Sequence, residues 1–419
     1  MGCEDRILIV SNNVISKTKN NGKTIASIFE EYPKENIRQL YFSSELPEDI
    51  RLDSYYQISD KDVLKSLLKT GSSIGKIQRT NVKKLVNTNQ EKGKKIPKNN
   101  LTRLIREVIW KLNFKKFDSL FEWLDDFQPQ KIFFVGGDSL FAYDITKMIK
   151  DKYKSKLLTY ITDDYILPRK TVNMFWWIRR NLLLRKMKPL IKETSELITI
   201  SEKMRNEYKN IFNKDSLLLM NKSESLKDNS IQNINNTRLY LIYAGGLHYN
   251  RYQVLSKIGE AIASINKKEN TKIKLFIYTN EQPTDKIMAK LNIENGSEYS
   301  GTLNRNELKI KLNECAIPVH VESFNKKSIE ATRLSVSTKI SEYMSLEKPI
   351  LAVGPKEVAS MEYLEGIAYC INEENLIEKD LKKLLSDFDL QKKLSLKARN
   401  QFDNNDLLLR KNIEYLLNN

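Results

Sequence analysis

A short run near residue 340 holds the groups that a diphosphate needs. Ser337 and Thr338 are good helix N-caps. The backbone N–H groups of a helix start attract anions, and Lys339 adds a positive charge in the first turn. Lys339 and Glu342 are three residues apart, so both fall on one helical face. A carboxylate there could accept hydrogen bonds from ribose hydroxyls while a diphosphate rests at the cap. The same spacing also reads as a capped helix with an i,i+3 salt bridge and nothing more. His248 and His320 are the only histidines, and no pattern of His, Cys or carboxylates has metal-ligand spacing. Asp163-Asp164 is the one acid pair at an expected strand end, and metal binding there is the weaker reading.

Groups of this kind act only where buried strands and helices hold them. The apolar run Ile7–Val10, a polar turn, a periodic helix and a second run at Leu40-Tyr41-Phe42 open a parallel α/β sheet. A long helix is expected around 101–124, with Trp110, Phe114, Phe117, Phe121 and Trp123. Next come strands at 131–135, ending in Gly136-Gly137-Asp138, and at 157–161, ending in Thr162-Asp163-Asp164. Two more follow at 197–200 and 217–220, for about six in this half. A polar, weakly patterned stretch at 222–237 reads as a linker. The alternation then restarts, with strands at 239–244, 273–278, near 299, 317–321, 350–353 and 368–371, and a final helix from Asp406, capped by Asn404/Asn405. The reading is therefore α/β with two Rossmann-like domains facing across a cleft. They are an N-terminal domain 1–221, a linker 222–237 and a C-terminal domain 238–404, with helix 405–419 packing back on the first domain. In open α/β sheets, ligands bind beyond the carboxyl ends of the strands, where these motifs fall.

Composition narrows the class. A chain of 419 residues suits two domains, and 40% hydrophobic with 29% charged residues describes an ordinary globular protein. No apolar run approaches the roughly 18 residues of a membrane span. The first residues resemble neither a secretory leader nor a myristoylation signal. Cys3, Cys315 and Cys370 are odd in number and far apart, which fits a reducing cytoplasm. The net charge of +17 is concentrated: residues 61–116 carry 16 Lys/Arg against three acids, and residues 165–192 carry eight and no acid. Such patches attract an anionic membrane surface or phosphorylated substrates. A lysine-rich surface without a partner is the plainer alternative. The Lys-rich stretch 76–98 has no interleaved aromatics, which argues against nucleic acid. The run from Met174 to Pro189 mixes aromatics and cations as a membrane-surface segment does. Its apolar residues are scattered around the helix, so a partly buried helix is an equal contender.

The segment from Ser337 through Glu342-Tyr343 to Pro349-Ile350-Leu351 resembles the Ser-x-Lys-x-x-Glu-Tyr signature of retaining, family-4-like glycosyltransferases of the two-domain B fold. The bacterial capsule and exopolysaccharide enzymes are the most similar. Gly245-Gly246-Leu247 with Asn250-Arg251 resembles that family's glycine loop and its phosphate-binding Arg. Gly301-Thr302-Leu303 resembles the nucleobase loop, and Val319 to Phe324, including Glu322, the strand leading to the donor site. Gly136-Gly137-Asp138 and Tyr160 to Tyr165 look like acceptor-domain loops. The chain also departs from the family: Leu334 stands where many members carry the first of two glutamates, and Glu322 or Glu330 could take its place. Glu347-Lys348 precedes the Pro in place of Gly.

The resemblance implies transfer of a sugar from a nucleoside diphosphate sugar, UDP by default, to a saccharide or polyprenyl-diphosphate-linked acceptor in bacterial surface polysaccharide synthesis. Gly245, Gly246, Arg251, Ser337, Thr338 and Lys339 would hold the phosphates and Glu342 the ribose, with Thr302 and Leu303 at the base. Arg251, Lys339 and helix N–H groups would stabilise the departing diphosphate electrostatically, with no metal or other cofactor required. His248 would contact donor phosphate or sugar. Asp138, Asp163 and Asp164 compete to orient the acceptor hydroxyl, with turn capping the alternative for each. The expected place is the cytoplasm, with a peripheral position on the inner membrane face left open. A sugar-nucleotide epimerase of the same fold, or a non-catalytic partner subunit, are the rival readings.

Overall fold

The computed structural model describes residues 5–16, 20–47, 50–68, 74–78, 99–220, 224–228 and 239–418. The Lys-rich stretch beyond Gln78, Cys3 and most of the linker lie outside them. The chain divides into two compact units. Unit 1 comprises Met1–Ile200, Arg205–Leu219 and Leu416–Asn419; unit 2 comprises Ser201–Met204 and Met220–Tyr415.

Among the described residues, unit 1 holds one sheet of eight strands: β1 (Ile7–Ser11), β2 (Ile37–Tyr41), β3 (Ser54–Gln57), β4 (Lys76–Gln78), β5 (Lys131–Gly136), β6 (Lys156–Ile161), β7 (Glu196–Thr199) and β8 (Leu217–Leu218). Their order is β4-β3-β2-β1-β5-β6-β7-β8. All pairs are parallel except β3 with β4. The central strands are near-continuous apolar runs because helices cover both faces, as parallel sheets require. β3 and β4 were not expected. Ser54-Tyr55-Tyr56-Gln57 has no aliphatic residue, and β4 is a three-residue edge whose Lys76 and Ile77 face solvent.

Unit 2 repeats the plan with β9 (Tyr240–Ala244), β10 (Lys274–Tyr278), β11 (Ser297–Tyr299), β12 (Ile317–Val321), β13 (Leu351–Val353) and β14 (Tyr369–Ile371). The order is β11-β10-β9-β12-β13-β14, all parallel. Alternation along β9 shows why both faces are buried. Leu241 and Tyr243 join one core with Val254, Ile258 and Leu384, and Ile242 joins the opposite core with Tyr343, Met361 and Phe402.

In each sheet the strand order reverses once, between β1 and β5 in unit 1 and between β9 and β12 in unit 2. Chains leaving adjacent strands there turn to opposite faces and open a crevice beyond their carboxyl ends.

Two helices differ from expectation. The stretch 101–124 is broken into helices Asn100–Leu112 and Asp118–Asp125 around a single 3-10 turn. Asn113 ends the first: its buried amide donates to the Ile109 carbonyl at 2.8 Å and its Oδ1 accepts from Ser66 at 2.7 Å, competing with the helical ladder. The final helix runs unbroken from Phe388 to Asn418. Asn405, expected as a cap, lies mid-helix and accepts from Gln401 at 2.9 Å.

Candidate functional site

The crevice of unit 2 is built from loops that touch one another. Beyond β9 the chain runs Gly245-Gly246-Leu247-His248, passes through left-handed Tyr249 and Asn250, and enters helix Arg251–Glu269. Gly246 has a steric reason. A Cβ there would lie 2.3 Å from the His248 ring and 2.6 Å from Glu281 Oε1. Glu281, in the loop beyond β10, clamps this turn by accepting from Leu247 N–H at 3.1 Å and meeting His248 Nδ1 at 2.8 Å. The Tyr243 hydroxyl donates to the Gly246 carbonyl at 2.6 Å. Asn250 puts no side-chain cap on the helix that follows. The partial positive charge of its first turn is thus not answered by a neighbouring Asn oxygen.

Arg251 and Glu322 bridge the point where the strand order reverses. Arg251 Nη2 donates to both Glu322 oxygens at 3.1 Å, and Arg251 Nη1 lies 3.3 Å from His248 Nε2. Arg251 keeps 15% of its side-chain surface and Glu322 only 2%. Ser360 donates to Glu322 Oε1 at 3.0 Å, and Glu322 N–H bonds the Val353 carbonyl at 2.8 Å. Burial pushes the Glu322 pKa up, but the adjoining His320 ring and the Arg251 guanidinium outweigh it and bring it down to about 2. His320 Nε2 stands 3.4 Å from Oε1 without making a well-formed hydrogen bond. For Arg251 burial works downward, and the Glu322 charge more than restores it, leaving the pKa raised. A carboxylate ionised at this depth carries no proton at neutral pH. It holds Arg251 in place.

Ser337 caps helix Thr338–Met344 by accepting from Lys339 N–H at 3.4 Å. Lys339 Nζ meets Glu342 Oε2 at 2.7 Å, with Lys339 about one-third exposed. Tyr343, buried below, accepts from Ala244 N–H at 3.2 Å and so ties this helix to the residue before Gly245. Beyond β11, left-handed Gly301 accepts from Thr279 N–H at 2.9 Å, and Thr302 Oγ1 donates to the Thr279 carbonyl at 2.9 Å. Gly245 N–H bonds the Tyr278 carbonyl, so the end of β10 joins both loops. Leu303 is half-buried beside Thr302. Gly246, His248, Arg251 and Glu322 are therefore linked one to the next, with Gly245 beside them on the same turn, and the Ser337–Glu342 helix and Thr302 are tied to the adjoining strand ends.

Unit 1 has its own crevice, occupied by its own side chains. A Cβ at Gly137 would fall 2.4 Å from Asn12 Nδ2, so the loops beyond β1 and β5 meet. Asp138 Oδ2 accepts from Arg179 Nη2 at 2.9 Å and from Arg103. Burial alone would raise the Asp138 pKa, and these two arginines reverse that and lower it. Glu107 fills the start of helix Leu140–Tyr153, accepting from Phe141 N–H at 3.0 Å. Burial raises its pKa to about 7 against the pull of the Leu140 and Phe141 N–H groups. Asp164 is wholly buried and builds a turn, accepting from Ile166 and Leu167 N–H at 3.1 and 2.9 Å. Asp163, partly exposed, accepts from Asp164 N–H at 2.8 Å. Glu281, Ser360 and Glu107 were not singled out from the sequence. Each acts on a residue 33 or more positions away, beyond the reach of local pattern. Among the described residues no three His, Cys, Asp or Glu side chains are placed to share a metal ion.

No known family profile matches the chain, and no curated protein matches it in sequence. Solved structures do match in shape over nearly the whole length. The Anabaena protein HepE in complex with UDP superposes with a TM-score of 0.61 at 10% identity, covering 98% of this chain and 99% of that one. A UDP-forming α,α-trehalose-phosphate synthase from Burkholderia xenovorans, in complex with glucose-6-phosphate, gives 0.59 at 10% identity over 99% and 100%. A glycosyltransferase from Rickettsia africae gives 0.56 at 13% identity over 98% and 97%. The chain has the two-domain glycosyltransferase B fold.

Proposed function

We propose that the chain is a glycosyltransferase that takes a nucleoside diphosphate sugar, UDP-linked, at the carboxyl edge of β9 and β12. It passes the sugar to a saccharide acceptor, lipid-linked, held by unit 1. The observation that carries this reading is Arg251, fixed by a buried, ionised Glu322 beside a glycine turn and an uncapped helix start. A preorganised cation and oriented N–H groups stabilise charge that develops on a leaving diphosphate. Lys339 supplies a second cation on an adjoining helix, and Glu342 beside it is placed to accept from ribose hydroxyls. Thr302 and Leu303 lie beyond β11, two strands over from β9, where a base would extend. His248, held by Glu281, faces the same turn and contacts donor phosphate or sugar.

No step of this scheme requires a metal. Asp138 and Asp164 are engaged in ion pairing and turn building; Asp163, partly exposed at the same strand end, is the acid assigned to orient an acceptor hydroxyl. The UDP in the HepE complex supports the choice of donor. The setting we propose is synthesis of a bacterial surface polysaccharide. Calorimetric titration with UDP tests the site: wild type should bind, and Arg251→Ala should not. Equal affinity in both would remove the assignment.

A further inference from the structure

Helix Asn100–Leu112 is inside out for a surface helix. Three of its four charged residues engage neighbouring elements: Arg103 pairs with Asp138, Arg106 with Asp60 at 2.7 Å, and Glu107 with the start of the next helix. Its outward row is Leu101, Ile105, Val108, Lys111 and Leu112, the spacing of a single helical face. Exposure of its apolar members runs from 45% at Leu101 to 67% at Leu112. An amphipathic helix ordinarily turns such a row to the core.

The row continues onto a neighbour. Asn100 bonds Asn173 at 3.3 Å and Arg179 at 2.9 Å, so the first turns of helices Asn100–Leu112 and Met174–Glu193 abut. There Met174, Trp177 and Ile178 are exposed, while Leu183, Met187 and Leu190 bury the later turns. The scattered apolar residues of this helix are thus divided along its length: the first turns face outward and the last anchor it.

We propose that this ridge docks unit 1 on an anionic lipid surface, with the aliphatic row and Trp177 entering the headgroup boundary. The charge pattern selects this occupant. Residues 165–192 carry eight basic side chains and no acid, and exposed Lys111, Lys170, Arg185 and Lys188 lie on the same two helices or the loop leading into them. Apolar insertion combined with basic residues matches interfacial binding to anionic lipid. No described helix is long and apolar enough to cross a membrane, so the contact is peripheral. It deepens the acceptor half of the function proposed above and rests on that reading for its purpose. Vesicle binding is measured without donor or acceptor, so the two stand or fall separately.

The test is co-sedimentation of the full chain with phosphatidylcholine vesicles, with and without phosphatidylglycerol. Binding should require phosphatidylglycerol and weaken as salt is raised. Ile105→Ser/Val108→Ser should weaken it by about tenfold or more and leave UDP affinity unchanged. Leu407→Ser removes an equally exposed leucine from the last helix and should change nothing. Absence of wild-type binding, or undiminished binding by the double variant, overturns the proposal. So does a dimer seen by light scattering without vesicles that the double variant dissociates, which would make the ridge a contact between copies.

Discussion

The two units share one plan and treat the same place in opposite ways. In unit 1 the crevice is filled from within: Asp138 is held by Arg103 and Arg179, and the helix start beyond β5 is answered by Glu107. In unit 2 the helix start beyond β9 has no side-chain cap, and Glu322, the one acid buried among the unit's described residues, serves to hold Arg251. Half-buried Glu107, facing backbone N–H groups, shifts up to about 7, whereas the carboxylates beside arginines shift down, Asp138 in unit 1 and Glu322, to about 2, in unit 2. On the function proposed above, a shared architecture provides a position for binding, and the local charge balance decides whether the protein or a ligand occupies it.

The largest blow to this contrast should come from Arg251→Ala. Loss of the diphosphate cation should cut transfer by about 100-fold or more, read as kcat/KM with a UDP-sugar. It also strands Glu322, at a cost of about 3–5 kcal/mol for an unpaired buried charge. Arg251→Lys separates the two effects, restoring most of the stability and less of the activity. Lys339→Ala should reduce transfer by about 10- to 100-fold while costing less stability than Arg251→Ala, because Glu342 keeps 13% of its side-chain surface against 2% for Glu322. A large loss of stability there would mean the pair is only a helix brace.

Asp138→Asn should show the reverse pattern. With two arginines left unanswered, unit 1 should lose about 1–3 kcal/mol, seen by calorimetric unfolding, with UDP affinity intact. The last effect is one of pH. Glu107 keeps its proton in the folded state up to about 7 but loses it near 4.5 when unfolded. Its contribution is full below 4.5 and is lost as pH rises through 7, amounting to up to about 3 kcal/mol. Glu322 has the opposite sign: its contribution is present above 4.5 and is lost as pH falls toward 2. Glu107→Gln should flatten unit 1's melting temperature between pH 5 and 7 and leave acid unfolding unchanged. A slope that persists in the variant would assign the titration elsewhere.

What could be read from the sequence was local. Strand runs such as Ile7–Val10 and Lys131–Val135 declare themselves because both faces of a parallel sheet are buried. The Ser337 cap and the Lys339–Glu342 pair lie within one turn, so spacing alone brings them together. A helix over this stretch was equally legible, but neither its break at Asn113 nor which face of Asn100–Leu112 would meet solvent. The choice of face depended on Asp138, Asp60 and Phe141 engaging Arg103, Arg106 and Glu107. Arg251 meets Glu322 across 71 residues, and Asp138 meets Arg179 across 41. Chain connectivity sets what neighbours along a helix or strand can do. Only the closing of the sheets sets which distant charges share a desolvated space, and whether each is answered from within the protein or left for a ligand.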